Sequence, residues 1–566
     1  MVRCLIPLFL GCSSPSSTPP KTLTIAALND FHGALYEFKT KNPNEVAGGL
    51  PWVSGLLQEW RATSTPLFVL DGGDLFQGSW PVNASKGAAA IEAFNLLGVD
   101  ASAVGNHEFD YGGDPTGHPL RQALLAGGAK AEWHWLSANI VDTADHQPWT
   151  PPGFSATAIL DKGGVRIGVI GLSTTDTPET TLKKNVADLL FTDVVPTVAK
   201  EAATLRTQNV DLIAVVGHLS GACPKGTNPL ELCAPSGEVG RLLTELPKGT
   251  IDILVTGHSH KQMAFKHDET IVLQSGSKGQ WVGRVDLAVE NKEIRWDMTK
   301  IWSPVPVIHP PSEPDCAGGV FNPAPHLVGQ WTVTPDPEAV ALIQRWEKKT
   351  GNLCTAAGCT SAPLFRNRNG GSHLGSIVAD AMHRAFPSAD LALTNAGGLR
   401  ANLPEGPLTM GHIQAVMPFD NRIVLVSIQG NKLQQLLEIG TSGAHGPLQL
   451  SGGTLVVTPN EGISRDLDQN GVSESWERNR LCSAHIGGQD IVPSKQYTIA
   501  TTDFLLGGGD HLELAFDEST LLETGPLLRD YLVQWFSNQT PCVSPPKDGL
   551  KRLQEHDCTP AERPLK

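Results

Sequence analysis

The chain predicts two successive α/β domains, a layered first one and a smaller, mixed second one. Three observations carry that expectation. Short apolar, β-rich runs alternate with helix-like stretches from residue 21 to about 302; a proline-rich segment breaks the pattern at 303–326; helices and strands resume from about 361 to 544. Alternation of the two periodicities is the signature of a layered α/β domain, and 566 residues are too many for one hydrophobic core.

Residues 1–20 (MVRCLIPLFLGCSSPSSTPP) carry one basic residue, Arg3, an apolar run at 5–10, and then Phe9-Leu10-Gly11-Cys12. This is a short form of an export signal. Its last four residues resemble the site at which bacterial lipoproteins are cleaved and acylated on cysteine, with Phe9 where Leu is preferred. An ordinary unstructured N-terminus is the competing reading. Residues 13–20 form a Ser/Pro/Thr tether. Eight cysteines follow: Cys223, Cys233, Cys316, Cys354, Cys359, Cys482, Cys542 and Cys558. An even number without C-x-x-C spacing suits disulfides in an oxidising compartment. Close spacing suggests Cys223–Cys233, Cys354–Cys359 and Cys542–Cys558, leaving Cys316 and Cys482, although spacing alone does not determine connectivity. The expected location is the bacterial periplasm or cell surface, with membrane contact only through a lipid anchor on Cys12.

Strands are expected at 22–28 (TLTIAAL), 66–70 (PLFVL), 165–172 (VRIGVIGL), 211–217 (DLIAVVG) and 252–257 (DILVTG), and helices at 49–62 and 87–98. The stretch 303–326 has too many prolines for regular structure and reads as a connector. Residues 336–350 (DPEAVALIQRWEKKT) have helical periodicity, as do 373–386, whereas 421–430 reads as a strand. The expected division is a leader and tether at 1–20, a first domain with its connector at 21–330, a linking helix and hinge at 331–358, a second domain at 359–545 and a tail at 546–566.

The polar residues recur in one place. The first strand leads to Asn29-Asp30-Phe31-His32, the second to Asp71-Gly72-Gly73-Asp74, and ASAVG (101–105) to Asn106-His107-Glu108-Phe109-Asp110. Residues 211–217 lead to His218, and 252–257 to His258-Ser259-His260. Each cluster alone is an acceptable turn. Together, at successive strand ends where open α/β sheets bind their ligands, they predict a dinuclear metal site. Carboxylate, imidazole and amide donors without thiolate suit Zn, Mn, Co, Fe or Ni. Two such ions activate a bridging hydroxide and clamp a phosphoryl group.

The motifs D-x-H, G-G-D, G-N-H-E-F-D and G-H-S-H, in this order, resemble the metallophosphoesterase domain of the 5′-nucleotidase/UDP-sugar hydrolase family. The resemblance continues through 395–400 (NAGGLR), 418–421 (PFDN) and 504–510 (FLLGGGD), so it spans both domains. It implies a four-layer α/β sandwich followed by a nucleotide-binding α/β domain. It implies that Asp30, His32, Asp74 and His260 hold one metal and that Asp74, Asn106, His218 and His258 hold the other. His107 would donate to a phosphoryl oxygen, oriented by Asp110. Phe419 and Phe504 would sandwich a nucleobase, Asp510 would accept from ribose hydroxyls, and Asn395 would add a contact. Arg400 matches a phosphate-binding arginine; Arg366 and Arg368 lie where the family supplies others, with Gly370-Gly371-Ser372 blurring the register. Gly507 and Asp420 depart from the family pattern at the edge of the base pocket.

A second metal signal is separate. Residues 466–477 (DLDQNGVSESWE) fit the calcium loop D-x-D-x-N-G-x₅-E. Asp466, Asp468, Asn470, the Val472 carbonyl, Glu474 and Glu477 would supply oxygens to a structural Ca²⁺. The residues before it read as strand and turn, so the expectation is an EF-like loop inserted in a hairpin, with a solvated acidic turn as the alternative.

The expected function is hydrolysis of nucleoside 5′-monophosphates, extending to di- and triphosphates or UDP-sugars, by in-line attack of hydroxide that the metals activate. Alternatives are a 2′,3′-cyclic nucleotide phosphodiesterase, a sulfur-ester hydrolase, or a surface lipoprotein that binds ligands without turnover. With Lys+Arg 43 against Asp+Glu 58, the net charge of −15 argues against a nucleic acid polymer, which needs a broad basic track. It does not argue against one nucleotide held by two cations and three arginines.

Overall fold

Period-two burial builds the first domain. In the strand Lys21–Leu28, Leu23, Ile25 and Ala27 enter one apolar core while Ala26 and Leu28 enter another, as alternation along a pleated strand requires. The computed structural model describes residues 19–42, 44–111, 121–181, 185–224, 233–311, 324–350, 353–459 and 462–558. The leader, Cys12 and Cys316 therefore lie outside the described residues.

Lys21–Leu28 pairs in parallel with Leu67–Asp71, followed outward by Ala101–Ala103 and His134–Leu136, and antiparallel with Trp281–Glu290 on its other side. A second sheet runs in the order Gln262–His267, Thr270–Ser275, Ile253–Thr256, Leu212–His218, Val165–Ser173, Thr157–Lys162. The facing sides share one core, with Ile25, Phe68 and Val285 against Val169, Leu212 and Val255. Helices Leu50–Arg61 and Ala88–Leu97 cover the outer face of the first sheet, burying Trp52, Leu56 and Phe94. Helices Val194–Arg206 and Gly237–Glu245 cover the second, burying Val198, Leu205 and Leu242. The order helix, sheet, sheet, helix is the expected four-layer sandwich. The five expected strands and both helices lie within one residue of their expected limits.

Two expectations change here. The proline-rich segment is not wholly irregular: Val305–Pro306 pairs with Trp281–Val282, and Ile308–His309 with Val46–Ala47. Proline is tolerated in such short edge pairings, where it owes no ladder amide. The helix Pro337–Thr350 also packs Ala339, Leu342 and Trp346 into the outer core of the first domain.

The second domain centres on a sheet ordered Leu448–Ser451, Leu391–Asn395, Gln496–Thr502, Arg422–Gln429, Thr520–Leu527. Helices His373–Ala385 and Leu528–Ser537 cover one face, and Gly430–Ile439 the other. A smaller sheet pairs Gly453–Val457 with Leu481–Ile486 and, in parallel, with Leu553–Glu555. The segment after 545, expected as a tail, thus supplies a strand, and Leu553 is buried.

Backbone pairing of distant segments also explains the disulfides. Cys223–Cys233 forms as expected, but the other pairs are Cys359–Cys542 and Cys482–Cys558; Cys354 is disulfide-bonded as well. Short sequence spacing is overruled by strand pairing. The Val543 amide donates to the Cys359 carbonyl at 2.9 Å, and the His556 amide to Val457 at 3.1 Å. Each brings a C-terminal cysteine beside a distant one.

Candidate metal centre and active site

The predicted ligands meet because both sheets present their carboxyl ends at one edge. Asp30 and His32 follow Lys21–Leu28, Asp74 follows Leu67–Asp71, and Asn106 follows Ala101–Ala103; His218 ends its strand and His258 follows Ile253–Thr256. The loops are knitted together by backbone bonds. Asp30 donates to Gly73 at 2.9 Å, His32 to Asp74 at 2.9 Å, and Gly257 to Gly217 at 3.1 Å. The His258 amide reaches across the sheets to Asp30 Oδ1 at 3.0 Å.

Asp30, His32, Asp74, His258 and His260 all have positive φ, between 48° and 73°. Such conformations are uncommon for side-chain-bearing residues and cost about 1–3 kcal/mol each, so their clustering marks a site whose surroundings impose them. Close approach does the rest. A Cβ on Gly105 would stand 2.1 Å from Asp74 Oδ1, so only glycine lets the Asn106 loop lie against Asp74.

Two donor groups result. His32 Nε2 lies 3.1 Å from His260 Nε2, and His260 Nε2 lies 3.3 Å from Asp30 Oδ1. His218 Nε2 lies 3.1 Å from each of Asp74 Oδ2, Asn106 Oδ1 and His258 Nδ1. Asp74 stands between them, with Oδ2 3.9 Å from His32 Nε2. Donors bonded to a tetrahedral ion at about 2.0–2.1 Å are separated by about 3.3 Å. Converging lone pairs at these spacings fit two divalent ions. Burial opposes charge on His218, yet Asp74 and Asp30 raise it to about 10. Burial and the charge of His218 push neighbouring His258 down to about 4. A bound cation needs both rings neutral; His258 already is near pH 7, so loading would release the proton of His218.

His107 borders this cluster, its ring 5.2 Å from that of His32 in an edge-on arrangement and a donor atom within 4.8 Å of His32 and Asp74. Its amide donates to Asp74 Oδ1 at 3.0 Å, and its Nδ1 lies 2.5 Å from Asp110 Oδ2. Burial works against charge, but Asp110 and Asp74 outweigh it and raise the ring to about 9. Thr181 donates to the other Asp110 oxygen at 2.8 Å.

The sequence reading assigned no role to Glu108 and Asn29. Glu108 is buried and accepts from the amides of Asp74 (3.0 Å), Leu75 (2.9 Å), Phe76 (3.0 Å) and Gly105 (2.6 Å), tying two ligand loops together. Asn29 donates to Asp30 Oδ2 at 2.6 Å and accepts from the Ser275 amide at 2.7 Å, which orients Asp30. The available signal was a carboxylate and an amide inside ligand motifs, since buried polar groups there must have partners.

A cleft of about 580 Å³ joins Asp74, Asn106, His107, Asp110, His258 and His260 to Arg368, Asn395, Arg400, Phe419, Phe504 and Asp510 of the second domain. The Arg400 guanidinium lies 5.5 Å from the centre of the Phe419 ring, and that ring stacks at 5.9 Å and 25° over His107. Burial, Arg368 and Arg366 lower Arg400 to about 10, the mark of crowded positive charge that an anion relieves. Asn395 donates to Asp510 Oδ2 at 2.7 Å. Phe504 rests on Gly509, where a Cβ would stand 2.4 Å from the ring. Arg366 lies within electrostatic reach of Arg400, and its guanidinium donates to the Leu399 carbonyl at 2.7 Å. Asp420, the departure beside Phe419, accepts from Arg529 at 2.7 Å, and Arg529 lies 5.3 Å from the centre of the Trp80 ring in the first domain. Asn83 of the first domain donates to the Pro418 carbonyl. The Phe419 loop is therefore docked on the first domain.

The acidic loop lies between Gly453–Val457 and Leu481–Ile486, inside a hairpin. Ligand oxygens of Asp466, Asp468 and Glu477 gather within 4.8 Å of one another. Asp466 accepts from the Asn470 and Gly471 amides at 3.0 Å each, Asn470 Nδ2 donates to Glu474 at 3.2 Å, and Val472 is exposed.

Both domains have counterparts among known proteins. The family model described as calcineurin-like phosphoesterase matches residues 23–262, and the 5′-nucleotidase C-terminal domain matches 351–517. The protein UshA of Yersinia enterocolitica is 26% identical over 92% of this chain and 91% of its own. Endonuclease YhcR of Bacillus subtilis is 24% identical over 85% of this chain, which spans only 37% of that longer protein. The crystal structure of a 5′-nucleotidase precursor from Thermus thermophilus superposes with a TM-score of 0.73 at 23% identity, covering 94% of this chain and 99% of that one.

Proposed function

Because the chain belongs to the two-domain 5′-nucleotidase family, a family of phosphoric monoester hydrolases, we propose that it releases phosphate from nucleoside 5′-monophosphates outside the cytoplasm. The observation that carries this reading is the cleft in which His107 and two metal-donor groups face Arg400, Phe419, Phe504 and Asp510. In it, Asp30, His32, Asp74 and His260 hold one divalent ion, and Asp74, Asn106, His218 and His258 the other. When bound, such a pair supplies a nucleophile at neutral pH and withdraws charge from the phosphoryl group.

The side chains do the remaining work. His107, kept cationic by Asp110, donates to a phosphoryl oxygen as charge develops there. Arg400 and Arg368 seat the phosphate. Phe504, with the edge of Phe419, offers the base a stacking surface that tolerates different bases. Asp510, held by Asn395, accepts from the sugar hydroxyls. Ca²⁺ on Asp466, Asp468, Asn470, Val472, Glu474 and Glu477 stiffens the hairpin. The disulfides support export, since such bonds persist in oxidising compartments.

The test is a hydrolysis panel on chelator-stripped protein with Zn, Mn, Co, Fe and Ni restored one at a time. AMP and related 5′-monophosphates should turn over with at least one metal, and di- or triphosphates and UDP-sugars would extend the range. Cleavage of only 2′,3′-cyclic nucleotides or sulfur esters would overturn the assignment.

A further inference from the structure

Among the described residues, one more set of donor atoms converges at the rim of the cleft, which Glu179 also lines. Glu179 belongs to the short helix Thr177–Thr180 of the first domain, whereas His511 and Glu513 belong to the second. One ligand atom from each lies within 4.8 Å of the others. The cluster exists because segment Gly509–His511 rests against helix Thr177–Thr180. The His511 ring is stacked at 4.9 Å and 8° on Trp476 and packed at 5.1 Å against His445. A cavity of about 510 Å³ adjoins the three residues, and Asp468 and Glu474 of the acidic loop line it too.

The chemistry of this set is specific. Two carboxylates and an imidazole, without thiolate, are a mixed oxygen and nitrogen set of the kind borderline divalent ions take. Three protein ligands leave a coordination position for water, and the adjoining cavity has room for it. A dication coordinated by carboxylates from both domains attracts each of them and so holds the two domains together. We propose that Glu179, His511 and Glu513 form a third divalent transition-metal site, a clasp that holds the second domain against the first. His511 directly follows Asp510 in sequence, so an occupied clasp also anchors the side of the cleft that Asp510 lines. This assignment is independent of what the enzyme hydrolyses.

The experiment counts metal in the full chain. Protein equilibrated with Zn²⁺, in buffer whose Ca²⁺ fills the acidic loop, is desalted and analysed by mass spectrometry of the elements. Three Zn²⁺ per wild-type chain and two in Glu179→Gln and His511→Gln are expected. The substitutions lie on different domains, so losing the same single ion in both identifies a shared site. A second readout is the distance between spin labels placed one on each domain. Its distribution should narrow as Zn²⁺ fills the third site in wild type and stay broad in both variants. A wild-type count of two, a count unchanged by either substitution, or a distance distribution indifferent to Zn²⁺ would each overturn the clasp.

Discussion

His107 Nδ1 lies 2.5 Å from Asp110 Oδ2, three residues along one 3₁₀ turn. The pair leaves the opposite ring nitrogen for substrate. Replacing His107 with Asn should lower kcat by roughly 10²–10³-fold, the usual worth of one donor aimed at developing charge. Steady-state kinetics on AMP checks this, and unchanged kcat would remove His107 from the chemistry.

The same pair sets a pH dependence. His107 is raised to about 9, so its charged, donating form persists through neutral pH and is lost above that value. The basic limb of kcat/KM should therefore fall near pH 9. Asp110→Asn removes the main raising influence and should move the limb to lower pH. A limb that stays in place in that variant would assign it to another group.

Glu108 accepts four backbone amides at once. Glu108→Ala leaves buried donors unpaired, each costing about 1–3 kcal/mol. A loss of at least about 3 kcal/mol is expected in urea unfolding, together with weaker metal retention on dialysis. Full stability in the variant would show that the loops hold themselves.

Phe504 and Phe419 differ in setting. Phe504 rests on Gly509, whereas Phe419 also packs on His107 and Arg400. Phe504→Ala should raise KM for AMP by about 5–150-fold, the range that 1–3 kcal/mol of stacking represents, with kcat nearly kept. Phe419→Ala should lower kcat as well, because it frees the His107 ring. Identical effects on both constants would contradict this division.

Cys359–Cys542 closes a separation of 183 residues and Cys223–Cys233 one of 10. Chain entropy predicts that opening the first costs about 5 kcal/mol and opening the second about 3. Thermal unfolding of the paired Ser variants measures the order, and a larger loss at Cys223–Cys233 would reverse it.

The four layers and the donor residues of the candidate dinuclear site were legible in the sequence for one reason. Period-two burial fixes which residues form strands, and in parallel α/β sheets the ends of such strands are where ligands gather. Asp30, Asp74 and His218 needed only that rule. Glu108 and Asn29 were less legible because their partners are backbone amides and neighbouring loops, which carry no side-chain motif.

Sequence alone thus determined the domain classes, the donor chemistry and the acidic loop, all of which depend on local periodicity or on spacing within one segment. Tertiary structure decided the rest. It paired Cys359 with Cys542 and Cys482 with Cys558, drew Leu553–Glu555 into a sheet, and set Phe419 over His107. It also brought Glu179 to His511 and Glu513 across a domain boundary. These relationships join residues tens to hundreds of positions apart, and packing sets their proximity, which no local pattern encodes.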